Sequence, residues 1–226
     1  MWLVATIVVF LVAQQIAIRA KHPLCNPLLL SLLFLIPVLL VMNVPYTTYF
    51  EQNKWINYLL QPAVVALAYP LYEQMGLIRK HWHKIIVSCL VASLLSMVLG
   101  AGLALALGAS PQVAATILPK SVSTPFAIVT AGQLGGLPSV SAALVVMAGL
   151  FGAILGYPIL KYLGISCPMA KGLALGSVSH ALGTAKASEM DVTEGAMSSL
   201  ALVICGVFTS VLAPVVFKTI MHFYGQ

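Results

Sequence analysis

The stretch ILPKSVSTPFA, residues 117–127, interrupts a long apolar sequence with two prolines, one lysine and three hydroxyl side chains. A proline ring cannot continue a helix, because it lacks the backbone N–H and clashes with the preceding turn. A membrane tolerates such irregular backbone only where protein or a water-filled cavity surrounds it. Placing a charged side chain at that depth also costs free energy. The stretch therefore predicts a broken, polar helix inside a membrane bundle.

The composition of the whole chain is that of an integral membrane protein. Of its 226 residues, 61% are hydrophobic and only 7% are charged, and the mean hydropathy is +1.03. Soluble domains carry about 25% charged residues. The net charge of +6 comes from basic residues near the ends of apolar segments. This placement predicts membrane orientation, with the lipid bilayer as a partner and no nucleic acid.

Apolar segments of about 20 residues predict about six full transmembrane helices. They cover roughly residues 2–18, 24–43, 57–78, 85–108, 139–163 and 195–223. The first segment lacks the basic start and the cleavage site of a signal peptide, which favours a helix that stays in the membrane. Basic residues after the first and third segments predict cytoplasmic ends. The N-terminus and a loop at residues 44–55 are then expected outside.

We predict one membrane domain, residues 1–226, with two regions. The three helices within residues 1–84 are interpreted as a scaffold. Residues 85–226 are interpreted as a transport-like region that contains two broken segments, 109–136 and 167–191. Each broken segment carries a serine-rich motif, SVST in the first and SVSH in the second.

The second half of the chain repeats itself. The 21-residue segments that start at Ser141 and Ser198 share six identical residues, and the two SVS motifs precede them at a similar spacing. Parallel repeats result if each broken segment crosses the membrane, and inverted repeats result if each is a re-entrant hairpin. Re-entry places Lys161 and Lys171 in the cytoplasm, as the positive-inside rule favours. We therefore expect an all-α polytopic membrane protein with two re-entrant hairpins in inverted repeats.

Breaks at corresponding positions of two repeats are typical of a transporter's substrate site. The N-terminus of a half-helix carries unpaired N–H groups and partial positive charge, which attract carboxylates and phosphates. Lysine adds a full positive charge, and hydroxyl groups donate to the same oxygens. The predicted substrate-binding residues are Lys120, Ser121, Ser123, Thr124, Ser177, Ser179 and His180.

Each of these residues also has a structural interpretation. A lysine such as Lys120 can extend to the headgroups, serines can cap or pack helices, and His180 can be a core histidine with two hydrogen-bond partners. The HWH sequence at residues 81–83 does not place both imidazoles on one helix face, and Lys120 and Ser121 do not face each other as a hydrolase dyad. We expect no metal, no cofactor and no enzymatic activity.

Four longer motifs resemble the LrgB/CidB family of membrane proteins. They are LLQPAVVALAYPLYEQ, ILPKSVSTP, GSVSHALGTAKASEMD and EGAMSSLALVICGV, which begin at residues 59, 117, 176 and 194. The resemblance covers nearly the whole chain and is strongest to a bacterial inner-membrane branch, the YohK-type proteins. It implies a multi-pass protein of the bacterial inner membrane.

The resemblance also implies two kinds of function. LrgB- and CidB-type proteins are described as holin- or antiholin-like modulators of murein hydrolase activity and autolysis, beside a small LrgA/CidA-type (YohJ-like) membrane partner. Plant relatives act as a plastid glycolate/glycerate translocator, and other bacterial relatives are linked to the movement of short carboxylates such as pyruvate. None of this assigns individual binding residues.

Two hypotheses follow from the sequence. The first is a carrier for a small carboxylate anion of the pyruvate, glycolate and lactate class, working by alternating access. The alternative is a holin- or antiholin-like protein that modulates wall hydrolases. The duplicated breaks favour the carrier, because a simple pore needs none. A homodimer is compatible with the carrier by analogy alone.

Overall fold

The computed structural model describes residues 1–20, 27–59, 62, 68–73 and 75–224, and all regular structure in these ranges is helical. The helices are α1 (Trp2–Ala20), α2 (Pro27–Val41), α3 (Tyr46–Tyr58), α4 (Ala68–Glu73), α5 (Met75–Ala106), α6 (Pro111–Ile117), α7 (Thr124–Gln133), α8 (Pro138–Tyr162), α9 (Pro168–Met190) and α10 (Val192–Phe223). In the described part of the chain, α1, α5, α8 and α10 are long and apolar enough to cross a membrane. The prediction of an all-α membrane protein is confirmed.

The second and third predicted spans are less completely represented. The second corresponds to α2, which has 15 residues and Pro37 inside it. The third, residues 57–78, includes positions 60–61, 63–67 and 74, which lie outside the described residues.

The chain divides into two compact units, Met1–Ala68 and Tyr69–Gln226. In the first unit, α1 packs against α2 and α3. The Trp2 amide donates to Gln52 Oε1 at 2.9 Å, and the Thr6 and Tyr49 hydroxyls are 2.8 Å apart. These bonds tie the first turns of α1 to α3.

The prediction of a loop at residues 44–55 is wrong, since α3 covers most of that stretch. Pro45 immediately precedes the helix, where a missing N–H costs nothing, and no glycine or proline follows within it. The hydrogen bonds to α1 supply the tertiary support that a short polar helix needs.

The second unit is built around α5 and α10, which pack together along two hydrophobic clusters. One cluster includes Met97, Ala101 and Leu118, and the other includes Ile85 and Cys89. The remaining helices of the unit lie on this pair: α6 contacts α5 and α8, α7 contacts α8 and α10, and α9 contacts α5, α8 and α10. The two broken segments are therefore held on the long helices.

Helix α5 runs through the basic stretch RKHWHK at residues 79–84, which was expected to separate two helices. The structure corrects that expectation. Charge alone does not end a helix, and arginine and lysine are good helix formers. The predicted boundary at residue 84 thus falls inside α5.

Small residues bring α9 and α10 into backbone contact. A Cβ on Gly176 would lie 2.8 Å from the Ser198 Cα, and a Cβ on Gly195 would lie 2.8 Å from the Ser188 Cα. Glycines and serines at helix interfaces allow such close approach in membranes. This packing keeps the second predicted broken segment helical on both sides of one kink at His180. The second predicted break is therefore present as a kink at one residue, across which two helical pieces meet directly.

Candidate functional site

The first break lies between α6 and α7, as the sequence predicted. Helix α6 ends at Ile117, and Ser123 precedes α7 with φ −65° and ψ 151°, which is extended backbone. Pro125 occupies the first turn of α7, where the missing N–H is tolerated. The Ser123 side chain makes no capping hydrogen bond, so the first amides of α7 have no acceptor from it.

Within this break, the Lys120 ammonium is held by two hydroxyl groups. Its Nζ donates to Ser96 Oγ and to Ser121 Oγ, both at 3.1 Å. The expectation that Lys120 and Ser121 do not face each other is therefore wrong, because both lie in the turn after α6 and not within a helix. Ser96 Oγ in turn donates to Ser121 Oγ at 2.7 Å. Gly100, one turn after Ser96 on α5, leaves room for the lysine stem, because a Cβ there would lie 3.2 Å from Lys120 Cε. The Lys120 side chain therefore packs against α5, with its ammonium group beside Ser96.

The Lys120 cluster carries a positive charge, and no carboxylate among the described residues pairs with it. The ion pairs recorded among the described residues are Lys171–Glu194 and Lys186–Glu189. Ser121 is buried and Lys120 is half-buried, so solvent screens the ammonium only in part. Three polar groups that can donate hydrogen bonds, beside the free amides of a helix start, form a suitable place for a small anion.

The second break is a single distorted residue in α9. His180 has φ 41° and ψ −130°, a left-handed backbone that a residue with a Cβ adopts only under constraint. The side chain is buried, and its Nε2 lies 2.8 Å from the Val145 carbonyl oxygen on α8. That hydrogen bond spans two helices. Strained backbone of this kind is often found where function requires it.

Glycines on α8 make space for this kink. A Cβ on Gly149 would lie 2.5 Å from His180 Cε1, and a Cβ on Gly152 would lie 2.5 Å from Ser179 Cβ. Neither position can accept a methyl group unless α9 moves. The kink at His180 and the glycine face of α8 are therefore complementary.

Both breaks meet the same turn of α8. Val122, from the first break, packs in a buried cluster with Ala127 and Val145. His180, from the second, binds the carbonyl of that same Val145. The described structure records no hydrogen bond that joins the side chains of the two breaks directly. The predicted residues thus form two neighbouring groups linked through α8.

The predicted residues differ in what they contact. Lys120 and Ser121 belong to one hydrogen-bonded cluster, and Ser179 and His180 pack on α8. Ser177 Oγ donates to the Ala174 carbonyl of its own helix at 3.0 Å, which matches its structural interpretation. Ser123 and Thr124 are half-buried at the start of α7.

Sequence reasoning missed Ser96, which completes the Lys120 cluster. It is one of several serines in α5, and nothing in its local sequence distinguishes it from a packing residue. Its partner is 24 positions away, so only the tertiary structure shows the contact.

A second polar cluster joins α8, α9 and α10. Lys171 Nζ lies 3.3 Å from Glu194 Oε1, and the Tyr157 hydroxyl donates to Glu194 Oε2. Asp191 caps α10, because its Oδ1 accepts from the Thr193 amide at 2.8 Å. These contacts fix the turn between α9 and α10 and hold the N-terminal turn of α10 against α8.

Together, these features define an integral membrane protein, helical throughout its regular described structure, with polar clusters at two helix breaks and at the turn between α9 and α10. The chain belongs to the LrgB-like family, whose model matches residues 6–219. It is 46% identical over 218 residues to an uncharacterized protein of Haemophilus influenzae, covering 96% of this chain and 94% of the relative. It is 41% identical to the uncharacterized protein YxaC of Bacillus subtilis, covering 93% of this chain and 92% of YxaC.

Relatives from staphylococci carry a functional name. The chain is 36% identical over 219 residues to the holin-like protein CidB of Staphylococcus aureus, covering 97% of this chain and 94% of CidB. No solved structure shows significant similarity to the chain. The resemblance seen in the sequence motifs is therefore confirmed at the level of the family.

Proposed function

We propose that this protein is a holin-like membrane protein of the bacterial inner membrane, which modulates the activity of wall hydrolases. The observation that carries the proposal is the similarity to CidB over 97% of the chain, at 36% identity. The family match over residues 6–219 includes both breaks and nearly all of the four long apolar helices. The names of these relatives favour this function over the carrier that the sequence analysis placed first.

The family resemblance adds a partner to this proposal. A small LrgA/CidA-type membrane protein would act together with the chain in the membrane. The lipid-facing surface is ample for such contact: along α1, the apolar side chains of Val4, Val8 and Leu11 are all more than half exposed. Apolar faces of this kind contact lipid or another transmembrane helix.

A carrier for small monocarboxylates is the second candidate, and one specific observation favours it. The Lys120 ammonium is partly withdrawn from solvent at a helix break, and among the described residues it is held by two hydroxyl groups. Placing a charge there is costly, so intramembrane lysines usually serve a function. A bound carboxylate would neutralise Lys120 and accept hydrogen bonds from Ser96, Ser121 and the amides of α7.

In the carrier, the kink at His180 would be the second half of the site. Ser179 and His180 would face the substrate after a movement of α9 along α8. The proposed topology has six spans and two re-entrant segments in inverted repeats, with the N-terminus outside. A homodimer is part of the same proposal. Neither candidate function involves catalysis.

Flux measurements in proteoliposomes separate the two candidates. The full chain is reconstituted alone and with its LrgA/CidA-type partner, and uptake of radiolabelled pyruvate, glycolate and lactate is compared with leakage of an uncharged dye. A holin-like protein releases the dye and shows no saturation by carboxylate. A carrier retains the dye and shows saturable uptake that unlabelled carboxylate competes away.

A matched pair of lysine variants tests the site itself. Lys120→Ala removes the ammonium at the break, whereas Lys161→Ala removes an exposed lysine at the end of α8. If the carrier is correct, uptake falls to background in the first variant and stays normal in the second. Normal uptake in a folded Lys120→Ala protein refutes the site.

A further inference from the structure

The first turns of α5 carry an exposed basic face that neither candidate function uses. The face consists of four exposed residues, which are Arg79, Lys80, His83 and Lys84. At 3.6 residues per turn, these four positions fall within about 140° of the helix circumference. The opposite side of α5 is packed, since Ile78, Ile85 and Cys89 belong to the hydrophobic cluster with α10. The basic groups therefore point away from the protein core.

The length of α5 places this face at the level of the lipid headgroups. The apolar part of the helix, residues 85–106, is about 33 Å long, close to the 30 Å thickness of a hydrocarbon core. The part before it, residues 75–84, extends about 15 Å further. Trp82, which is 52% exposed, lies in that part, and tryptophan is enriched at the membrane interface.

The basic face has no internal counterion among the described residues. The two ion pairs recorded there are formed by Lys171 and Lys186. Glu73, the nearest acidic residue in sequence, forms no ion pair with α5 in the described structure. Three permanent cations thus lie side by side in the headgroup region.

We propose that this face of α5 binds the headgroups of anionic phospholipids. Juxtamembrane lysines and arginines attract anionic lipid, and the planar guanidinium of Arg79 can bind a phosphate through two N–H groups. The lipid phosphate, rather than free phosphate, is the ligand because the site lies beside Trp82 at headgroup depth. The proposal is independent of whether the protein is holin-like or a carrier.

The expected strength follows from the number of cations. Each lysine or arginine near an anionic surface raises binding about fivefold. Removing Arg79, Lys80 and Lys84 together should therefore lower the preference for phosphatidylglycerol over phosphatidylcholine by about a hundredfold.

Trp82 provides the readout. In a chain with Trp2 and Trp55 replaced by phenylalanine, Trp82 is the remaining one of three tryptophans. Vesicles of phosphatidylcholine receive increasing fractions of brominated phosphatidylglycerol, and quenching of Trp82 reports which lipid lies beside α5. The preference should disappear in high salt, since salt screens exposed charges. Excess inorganic phosphate should leave it unchanged.

The triple variant Arg79→Gln, Lys80→Gln and Lys84→Gln is compared with a control that has the same net charge. That control replaces three lysines elsewhere in the described chain, at Lys54, Lys161 and Lys218, each of which is exposed. We expect the first variant to lose the preference and the control to keep it.

A second measurement needs no tryptophan substitution, and its first part does not depend on whether the variants fold. Mass spectrometry of the intact, unmodified chain released from mixed lipid should show retained phosphatidylglycerol. The triple variant, released in the same way, should not retain it. Equal preference in the triple variant and the control, or displacement by inorganic phosphate, overturns the proposal.

Discussion

Breaking the Lys171–Glu194 ion pair from its two sides should have unequal costs. The side chain of Lys171 is 25% exposed, whereas that of Glu194 is 5% exposed. Lys171→Met leaves a carboxylate out of reach of water, with the Tyr157 hydroxyl still donating to it. Glu194→Gln leaves an ammonium that can turn towards solvent, and it keeps an oxygen that accepts from Tyr157.

The magnitudes follow from this difference in exposure. Removing one partner costs about 3–5 kcal/mol when the other charge stays buried, whereas an exposed pair is worth about 0.2–1 kcal/mol. We expect a loss of about 3 kcal/mol for Lys171→Met and about 1 kcal/mol for Glu194→Gln. In a protein of 226 residues, each kcal/mol lowers Tm by about 2–4 °C. The double variant should recover most of the larger loss, because no charge remains.

The assay is thermal unfolding of the full chain in one detergent, for both single variants and the double variant, which together give the coupling free energy. Lys186→Met is the control, since it removes an ion pair whose partners are 39% and 67% exposed. It should change Tm by less than either variant at the buried pair. Equal losses from the two single variants would show that the exposure of the two partners does not control the cost.

Two further positions test packing and capping. Gly152→Ala should destabilise the protein by about 1–3 kcal/mol, because its methyl group overlaps Ser179. Gly102→Ala is the control, since Gly102 has open space around it, and this variant should be neutral or stabilising. Equal Tm values for the two variants in thermal unfolding would contradict the close packing of α8 on α9. Asp191→Ala should cost about 1 kcal/mol, because it removes the side chain that caps the start of α10. Asp191→Asn keeps an oxygen that can cap the helix, so it should retain most of the stability. Equal melting temperatures for these two variants would refute the capping role.

The sequence was sufficient to locate the first break and the four long apolar helices. Pro119 prevents α6 from continuing, and Pro125 suits the first turn of α7, so both effects follow from local backbone chemistry and need no tertiary information. Hydropathy over about 20 residues likewise reflects the bilayer alone. Features set by local chemistry or by the lipid were thus accessible.

Other features depended on contacts between distant parts of the chain. The bond from Lys120 to Ser96 joins residues 24 positions apart, and the shared contact at Val145 joins three segments. The sequence predicts a loop where α3 lies, because the hydrogen bonds that support this helix come from α1. The basic stretch at residues 79–84 predicts a boundary that α5 does not have, because charge ends a membrane span without ending a helix.

The holin-like proposal has to account for the energetic cost of Lys120. Removing a cation from water is expensive, and two hydroxyl groups compensate it only in part, since a carboxylate partner is absent from its surroundings in the described structure. Replacing Lys120 with methionine should therefore stabilise the fold if the lysine serves only in packing. Unchanged or lower stability of Lys120→Met would show that the ammonium is already compensated. Greater stability together with lost activity, whether dye release or carboxylate uptake, would show that the charge is retained for function.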